Sequence, residues 1–272
     1  MSKNIIEKFN LEGRVAIVTG ALGLIGKEIC KALAEAGGSV VVCDLDKFAC
    51  EEFAFSLGND SIGGDIDVTK IESIKDARYH VLKKYGHIDI LVNNAAINDM
   101  VESPVSALEQ SMFENYPLEI WQKVIDVNLT GVFLCSQIFG KEMLKQKKGS
   151  IINIASTYGI VAPDQNLYKN ESGEQKFYKS PVYPATKGAV ISFTKYLASY
   201  WGNKGIRVNA LSPGGVENHQ DEFFIKSYSS KTLLGRMAKN SDYKGALVFL
   251  ASDASEYMTG ANLVVDGGWT AI

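Results

Sequence analysis

Cysteine is scarce in this 272-residue sequence. The four, Cys30, Cys43, Cys50 and Cys135, form no C-x-x-C pair, and three fall in apolar stretches. A disulfide framework or a thiolate metal site is therefore disfavoured; buried thiols in a reducing compartment are expected, and no metal is assigned. Long apolar runs are missing too. The best, residues 15–25, is broken by glycines and a threonine and falls short of the ~18 residues a membrane helix needs. The opening M-S-K-N-I-I-E-K-F-N mixes charges among its apolar residues and has no signal-peptide core, so a cytoplasmic location is expected. Nor does one sign of charge prevail. Lys+Arg of 28 against Asp+Glu of 31 leaves −3, without the basic field that nucleic acid or an anionic membrane surface selects, so the expected partner is a small molecule. Repeats, low-complexity tracts and Pro/Ser linkers are absent as well, and 46% hydrophobic with 22% charged residues is ordinary globular composition.

What is present is an alternation of short β-branched runs with longer helix-period segments, the pattern of βαβ units in a parallel sheet. Strands are expected at 15–19, 40–43, 61–64, 88–92, 150–154, 207–211 and 262–265, and helices at 27–36, 70–85, 119–146, 185–201 and 242–252. Seven strands in one sheet need no second domain, so residues 1–272 read as one unit. Two long irregular stretches, 97–118 and 158–182, follow strands and so emerge at the carboxyl edge of the sheet, where open α/β folds bind ligands. With 214–235 they are the expected substrate loops.

The first strand runs into T-G-A-L-G-L-I-G, residues 19–26, and then into a helix. Glycines there let the backbone turn and approach a pyrophosphate, whose charge the helix N-terminus favours. The second strand ends at Asp44, 24 residues after Gly20, where an acid accepts hydrogen bonds from an adenosine ribose. A carboxylate there repels a 2′-phosphate, so NAD is expected over NADP, with Lys47 the one nearby cation that favours the latter. The fold class is thus α/β, a Rossmann-type doubly wound sheet of seven parallel strands with helices on both faces, in a single domain.

From Gly13 to Gly268 further motifs follow in order: I-D-I-L-V-N-N-A-A (88–96), D-V-N-L-T-G (126–131), I-I-N-I-A-S (151–156), Y-P-A-T-K (183–187), R-V-N-A-L-S-P-G-G (207–215) and a closing L-V-V-D-G-G (263–268). In that order and spacing the chain resembles the short-chain dehydrogenase/reductase family, single-domain type. Tyr183 and Lys187 are four apart and share a helix face, and Pro184 places Tyr183 at the helix start. A phenol titrating near ~10 is a poor base at neutral pH, and moving it towards ~7 asks for roughly 4 kcal/mol, which a nearby ammonium and the positive nicotinamide ring supply. The resemblance implies hydride transfer between an alcohol and a ketone, with Tyr183 as acid/base, Ser156 holding the substrate oxygen, Lys187 binding the nicotinamide ribose and Asn128 holding a relay water. It implies cofactor contacts from Gly20, Leu22, Leu24, Ile25 and Gly26, from Asp44, Asp67 and Val68, from Asn94, Ala95 and Ala96, and from Tyr183, Lys187, Pro213, Gly214 and Val216. Substrate contacts are expected at Ser156, Tyr158, Tyr183, Gly215 and Asn218, and a homodimer or homotetramer is expected through the helices carrying Asn128 and Tyr183 and the last strand.

The chain also departs from the family. T-G-x-x-G-x-x-G is the spacing of sugar-nucleotide epimerases and dehydratases that retain their NAD, while the length and the V-V-D-G-G ending are those of the single-domain type; a non-catalytic NAD(H)-sensing module is the rival outside enzymes. Ser156 and Tyr183 stand 27 positions apart, roughly twice the family spacing. The inserted residues are rich in tyrosine, Asp164, Gln165 and Asn166 and poor in aliphatics, which suits a polyhydroxylated substrate, with a solvated flap as the alternative. Lys169, Lys176, Lys179, His219 and Lys226 read as solvated charges ahead of a phosphate site. The insertion, P-G-G-V-E-N and G-R-M resemble oxidoreductases of bacterial surface-sugar pathways, including flagellin glycosylation.

Overall fold

The computed structural model describes residues 4–99 and 108–272. Seven strands, β1 (Val15–Thr19), β2 (Ser39–Asp44), β3 (Ile62–Asp65), β4 (Ile90–Asn93), β5 (Gly149–Ile154), β6 (Ile206–Pro213) and β7 (Asn262–Val265), form one parallel sheet in the order β3-β2-β1-β4-β5-β6-β7. Helices cover both faces, so β1, with the sequence V-A-I-V-T, is buried at every position. One core layer joins Ala16, Val18 and Val42 to Ile29, Leu33 and Leu247; the other joins Ile17 and Leu91 to Ile74, Phe139 and Trp201. Among the described residues no helix is long and apolar enough to cross a membrane.

All seven expected strands form, β1 and β7 with the expected ends and the other five with ends moved by one or two residues. Ile88 falls outside β4 because the Gln146 side chain takes its backbone: Ile88 N–H donates to Gln146 Oε1 (3.1 Å) and Gln146 Nε2 donates back to the Ile88 carbonyl (2.9 Å). The helices are α1 (Leu24–Glu35), α2 (Lys47–Leu57), α3 (Ile71–Tyr85), α4 (Leu108–Ser111), α5 (Leu118–Ile125), α6 (Gly131–Gln146), α7 (Val182–Trp201), α8 (Glu222–Ser229) and α9 (Lys244–Ala251).

Four differences from the sequence pattern stand out. α1 starts three residues early, with Gly23 as its N-cap, so Gly26 belongs to its first turn. α2 has weak periodicity because two of its large apolar residues, Phe48 (76% exposed) and Phe55 (89%), face solvent while Cys50 and Ala54 are buried; its start is marked instead by Asp46, which accepts from the Ala49 N–H. The expected 119–146 helix is divided by a five-residue π turn, Asp126–Thr130, between α5 and α6. The 214–235 loop contains α8, capped by Asp221. Part of the expected 97–118 loop, 100–107, lies outside the described residues.

Candidate active site

β1 and β4 are neighbours whose following segments part in opposite directions, which opens a crevice at their carboxyl ends. Gly20 turns the chain out of β1 with φ +61°. A Cβ on Gly20 would stand 2.7 Å from Ala95 Cα, and one on Gly26 would stand 2.2 Å from the Gly20 carbonyl oxygen, so both positions require glycine; on Gly23 the same distance is 3.4 Å, an ordinary contact. Gly26, in the first turn of α1, thus makes the close approach, and Leu24, Ile25 and Gly26 supply first-turn N–H groups that favour an anion. Asp44 Oδ2 accepts from the Leu22 N–H (2.9 Å) and Oδ1 from the Leu45 N–H (2.8 Å), which fixes its carboxylate at the rim of the loop.

The segment after β4 is tied to the same loop. Asn94 Nδ2 donates to the carbonyls of Thr19 (3.1 Å) and Gly20 (2.8 Å), and the N–H groups of Asn94 and Ala95 donate to Thr19 Oγ1; Ala96 follows, half-buried. Asp67 accepts from Thr69 and pairs with Lys70, contacts that hold its carboxyl below the usual range. Val68 is buried where a Cβ on Gly131 would meet it at 2.7 Å. Beyond β6, Pro213 pairs with Val265 and Val216 bridges to Ala238, and a Cβ on Gly214 would lie 2.9 Å from Asp266 Cα. Cradle, helix start and carboxylate together can hold a dinucleotide.

The polar quartet assembles around α7. Ser156 caps the turn Thr157–Gly159, its Oγ accepting from the Tyr158 N–H (3.1 Å), which turns the hydroxyl hydrogen away from that turn. A Cβ on Gly159 would lie 2.7 Å from Lys187 C, so the serine turn presses directly on α7. α7 begins at Val182, and Pro184 falls in its first turn, where a missing N–H is harmless. Lys187, 3% exposed, donates from Nζ to the Ile154 carbonyl (2.7 Å) and lies 5.7 Å from the Tyr183 ring centroid. Burial brings its pKa down to about 8.

Asn128 is fully buried in the π turn, a device often found at functional sites. Its Oδ1 accepts from the Ile97 N–H (2.7 Å), and Nδ2 donates to the Ile97 carbonyl (3.0 Å) and to Thr186 Oγ1 (3.4 Å). The side chain therefore ties the β4 segment to α7. Thr186, beside Lys187, is a member of this network that the sequence pattern did not single out. A threonine at the unread position inside Y-P-A-T-K carried no signal.

A family model described as enoyl-(acyl carrier protein) reductase matches residues 20–270. The D-threitol dehydrogenase of Mycolicibacterium smegmatis is 36% identical over 270 residues, which span 96% of this chain and 95% of that protein. The chain belongs to the short-chain dehydrogenase/reductase family. Also similar is the 2-dehydro-3-deoxy-D-gluconate 5-dehydrogenase of Pseudoalteromonas atlantica, 36% identical across 97% of this chain and 99% of that one. Among solved structures, a gluconate 5-dehydrogenase from Burkholderia cenocepacia in complex with NADP and tartrate superposes with a TM-score of 0.85 at 30% identity, covering 99% of this chain and 100% of that one. The protein is an oxidoreductase of this family.

In this short-chain dehydrogenase the insertion after Ser156 is a packed wall, not a loose flap. It folds into a 3-10 turn, Gln165–Tyr168, and an antiparallel bridge between Lys169 and Gln175. Leu167 and Tyr168 are buried with Tyr228, Met237 and Trp269, and the Tyr168 and Phe177 rings lie 5.0 Å apart. Gln165 clamps Lys179 at both backbone groups: its Oε1 accepts from the Lys179 N–H (2.8 Å) and its Nε2 donates to the Lys179 carbonyl (3.3 Å). Between this wall and the 111–114 segment lies a cavity of about 460 Å³ that reaches Pro184, next to Tyr183.

The expected substrate residues fare differently. Tyr158 sets its hydroxyl against that of Tyr168 (3.1 Å), within the wall, and burial raises its pKa. Gly215 donates its N–H to Tyr228 Oη (2.6 Å), with room for no side chain against that ring. Asn218 lies in an exposed turn and donates its N–H to Gln220. Of the five basic residues read as solvated, Lys176, His219 and Lys226 are exposed, Lys176 pairing with Asp221. Lys179 is not: it is 5% exposed, with Nζ 5.0 Å from the Tyr183 ring centroid and donating to Asn98 Oδ1. A lone lysine in a polar segment carries no sequence mark of burial.

Proposed function

We propose that the protein is an NAD-dependent dehydrogenase that interconverts a secondary alcohol and a ketone on a polyhydroxylated, sugar-like substrate. The observation that carries this reading is the convergence on one helix turn: the Lys187 ammonium faces the Tyr183 ring while donating to Ile154, two residues before Ser156. A nicotinamide held by the glycine loop and Lys187 would supply the hydride acceptor for a carbinol, or the hydride donor for a ketone. Tyr183 takes the proton of the substrate hydroxyl, or gives it to the ketone. Ser156, its hydroxyl hydrogen unneeded by its own turn, donates to the same substrate oxygen and fixes its position. Lys187 stabilises the phenolate by charge and would hold the nicotinamide ribose. Asn128 ties the segment after β4 to α7 through Ile97 and Thr186 and would serve the proton path from Lys187 to solvent.

NAD rather than NADP follows from Asp44, whose carboxylate stands at the rim of the glycine loop with Leu45 after it; the NADP complex of the Burkholderia structure makes this a point to measure. The sugar-like substrate is supported by the polar wall of the insertion and by the names of the relatives, which act on threitol and on a deoxygluconate. We read 97–118, 158–182 and 214–235 as the loops that enclose it. Four buried, unbridged cysteines suit the reducing cytoplasm. Exposed Phe133, Tyr196 and Tyr200, the two tyrosines stacked along α7, suit pairing of copies into a dimer or tetramer.

The test is NADH formation or consumption with NAD and NADP over a panel of polyols, aldonates, sugar phosphates and nucleotide sugars, with product analysis in a parallel arm lacking added cofactor. Turnover faster with NAD on a polyol or aldonate is expected. Product without net NADH change would replace this reading by the retained-cofactor epimerase, and binding of NADH with no reaction in either arm by the sensor.

A further inference from the structure

Resting on that reading, we propose that Asp99 is a positioning residue of the reaction: through Ser180 it fixes the start of α7, and so Tyr183, against the tail of β4 that holds the cofactor loop. It acts through Ser180 and not on the reactants themselves.

The tail, residues 94–99, grips both halves of the site. At its near end Asn94 and Ala95 bind Thr19 and Gly20 of the cofactor loop. Next, both backbone groups of Ile97 are taken by the Asn128 side chain, whose Nδ2 also donates to Thr186 Oγ1 (3.4 Å). Thr186 Oγ1 in turn donates to the Tyr183 carbonyl (2.9 Å). At the far end two consecutive residues of the tail meet two consecutive residues before α7: Asn98 Oδ1 accepts from Lys179 Nζ, and Asp99 Oδ1 accepts from Ser180 Oγ (2.8 Å). Ser180 stands three positions before Tyr183 and Thr186 three after it. The tail therefore brackets the acid/base on α7, and the residues that set its place are continuous with those that set the place of the cofactor loop.

The upstream bracket matters because α7 has no cap of its own. Its N-cap is Pro181, which offers no side-chain acceptor to the first turn, so that turn must be held by what precedes it. Downstream of Tyr183, Lys187 is anchored on the Ile154 carbonyl. Upstream, Gln165 and Ser111 accept from the N–H groups of Lys179 and Tyr178, but these bonds lead to the insertion and to α4, away from the cofactor loop. The bond from Asp99 to Ser180 leads back to the cofactor side, through two short side chains with little freedom, and Ser180 is fully buried. Tyr116 Oη donates to the other carboxylate oxygen, Oδ2 (2.6 Å), so each oxygen of Asp99 is fixed by a hydroxyl in a charge-assisted bond. Burial, and after it the Asp99 charge, pushes the Tyr116 phenol up and keeps it a donor.

The experiment compares wild type, D99A, S180A and the double variant, each saturated with NAD and mixed with the fastest-reacting member of the panel above. The single-turnover rate of NADH appearance is read per reacting molecule, and slowing by deuterium at the carbinol carbon shows that hydride transfer is being timed. D99A and S180A are each expected to slow that rate by roughly ten- to a hundredfold, the cost of a slight misplacement of the acid/base. The substrate concentration at half-saturation and the affinity for NADH should stay as in wild type. Because both substitutions remove the same tie, the double variant should be no slower than D99A. A merely structural role would lower the melting temperature and the amplitude while leaving the rate unchanged, and that result overturns the proposal. So do losses that multiply in the double variant, or a loss confined to half-saturation. If D99A fails to fold, S180A decides by the same rate. Failure of the dehydrogenase reading looks different: wild type itself turns over no member of the panel with NAD, which overturns that reading and this proposal together.

Discussion

Two strand ends build this site, and they build it by different means. After β1 the loop is held by its backbone: Gly20 and Gly26 clear the way, and the side chains of Asp44 and Asn94 bind its N–H and carbonyl groups. After β5 the contacts are made by side chains: Gln165 clamps Lys179, Tyr168 stacks into a cluster with Phe177 and Phe224, and Tyr228 packs on Trp269 at 4.3 Å. A backbone cradle recognises what all dinucleotides share and tolerates little change. A wall of side chains can be rewritten residue by residue while the cradle stays, so cofactor binding and substrate choice are separable in this fold.

That separation can be broken or sharpened by substitution. The largest effect is expected where the halves meet: Tyr183→Phe should lower kcat by roughly 10²–10⁴-fold, the usual worth of positioned acid/base catalysis, with NADH affinity retained. Next, Gly26→Val should abolish NADH binding measured by fluorescence titration, since its Cβ would fall 2.2 Å from the Gly20 carbonyl oxygen. Gly23→Ala should bind NADH like wild type, because the middle glycine has no such close neighbour. Equal loss at both would show that the loop, not the approach at Gly26, is the requirement.

Lys187 offers a test on the stability axis. Burial brings its folded pKa down to about 8, well below the ordinary lysine value, so the cofactor-free folded state disfavours the charged form. Wild type should therefore gain stability relative to Lys187→Met as pH rises from about 8 to 10, with roughly 3 kcal/mol as the upper bound. Denaturant midpoints of the two proteins across that range check the sign; a gap that widens against wild type would contradict it. The smallest effect is expected in the wall: Gln165→Ala should raise KM for substrate several-fold, the cost of about one or two hydrogen bonds, while leaving NADH affinity alone.

The same contrast explains what the sequence could tell. The strands, the glycine turn and the shared helix face of Tyr183 and Lys187 were legible because each rests on a local rule: β-branched runs, a turn that only glycine makes, a spacing of four; Ser156 and Asn128 entered only through the family resemblance. The start of α1 was misplaced because Gly23 reads as loop yet serves as N-cap. α2 was missed because two of its three phenylalanines, Phe48 and Phe55, face outward, and the π turn at Asn128 left no mark in a continuous helical period. The insertion was read by composition alone, so Lys179 passed for a surface charge. Its burial depends on Gln165, Asn98 and the cavity edge, contacts between segments that no periodicity encodes.

The central claim is that Tyr183 moves the proton while the cofactor moves the hydride. Wild type and Tyr183→Phe, each saturated with NAD and mixed in a single turnover with the best substrate of the panel, test it directly through the appearance of NADH. The account predicts a burst in wild type and none on the same timescale in the variant, with substrate binding intact in both. Equal bursts would contradict it.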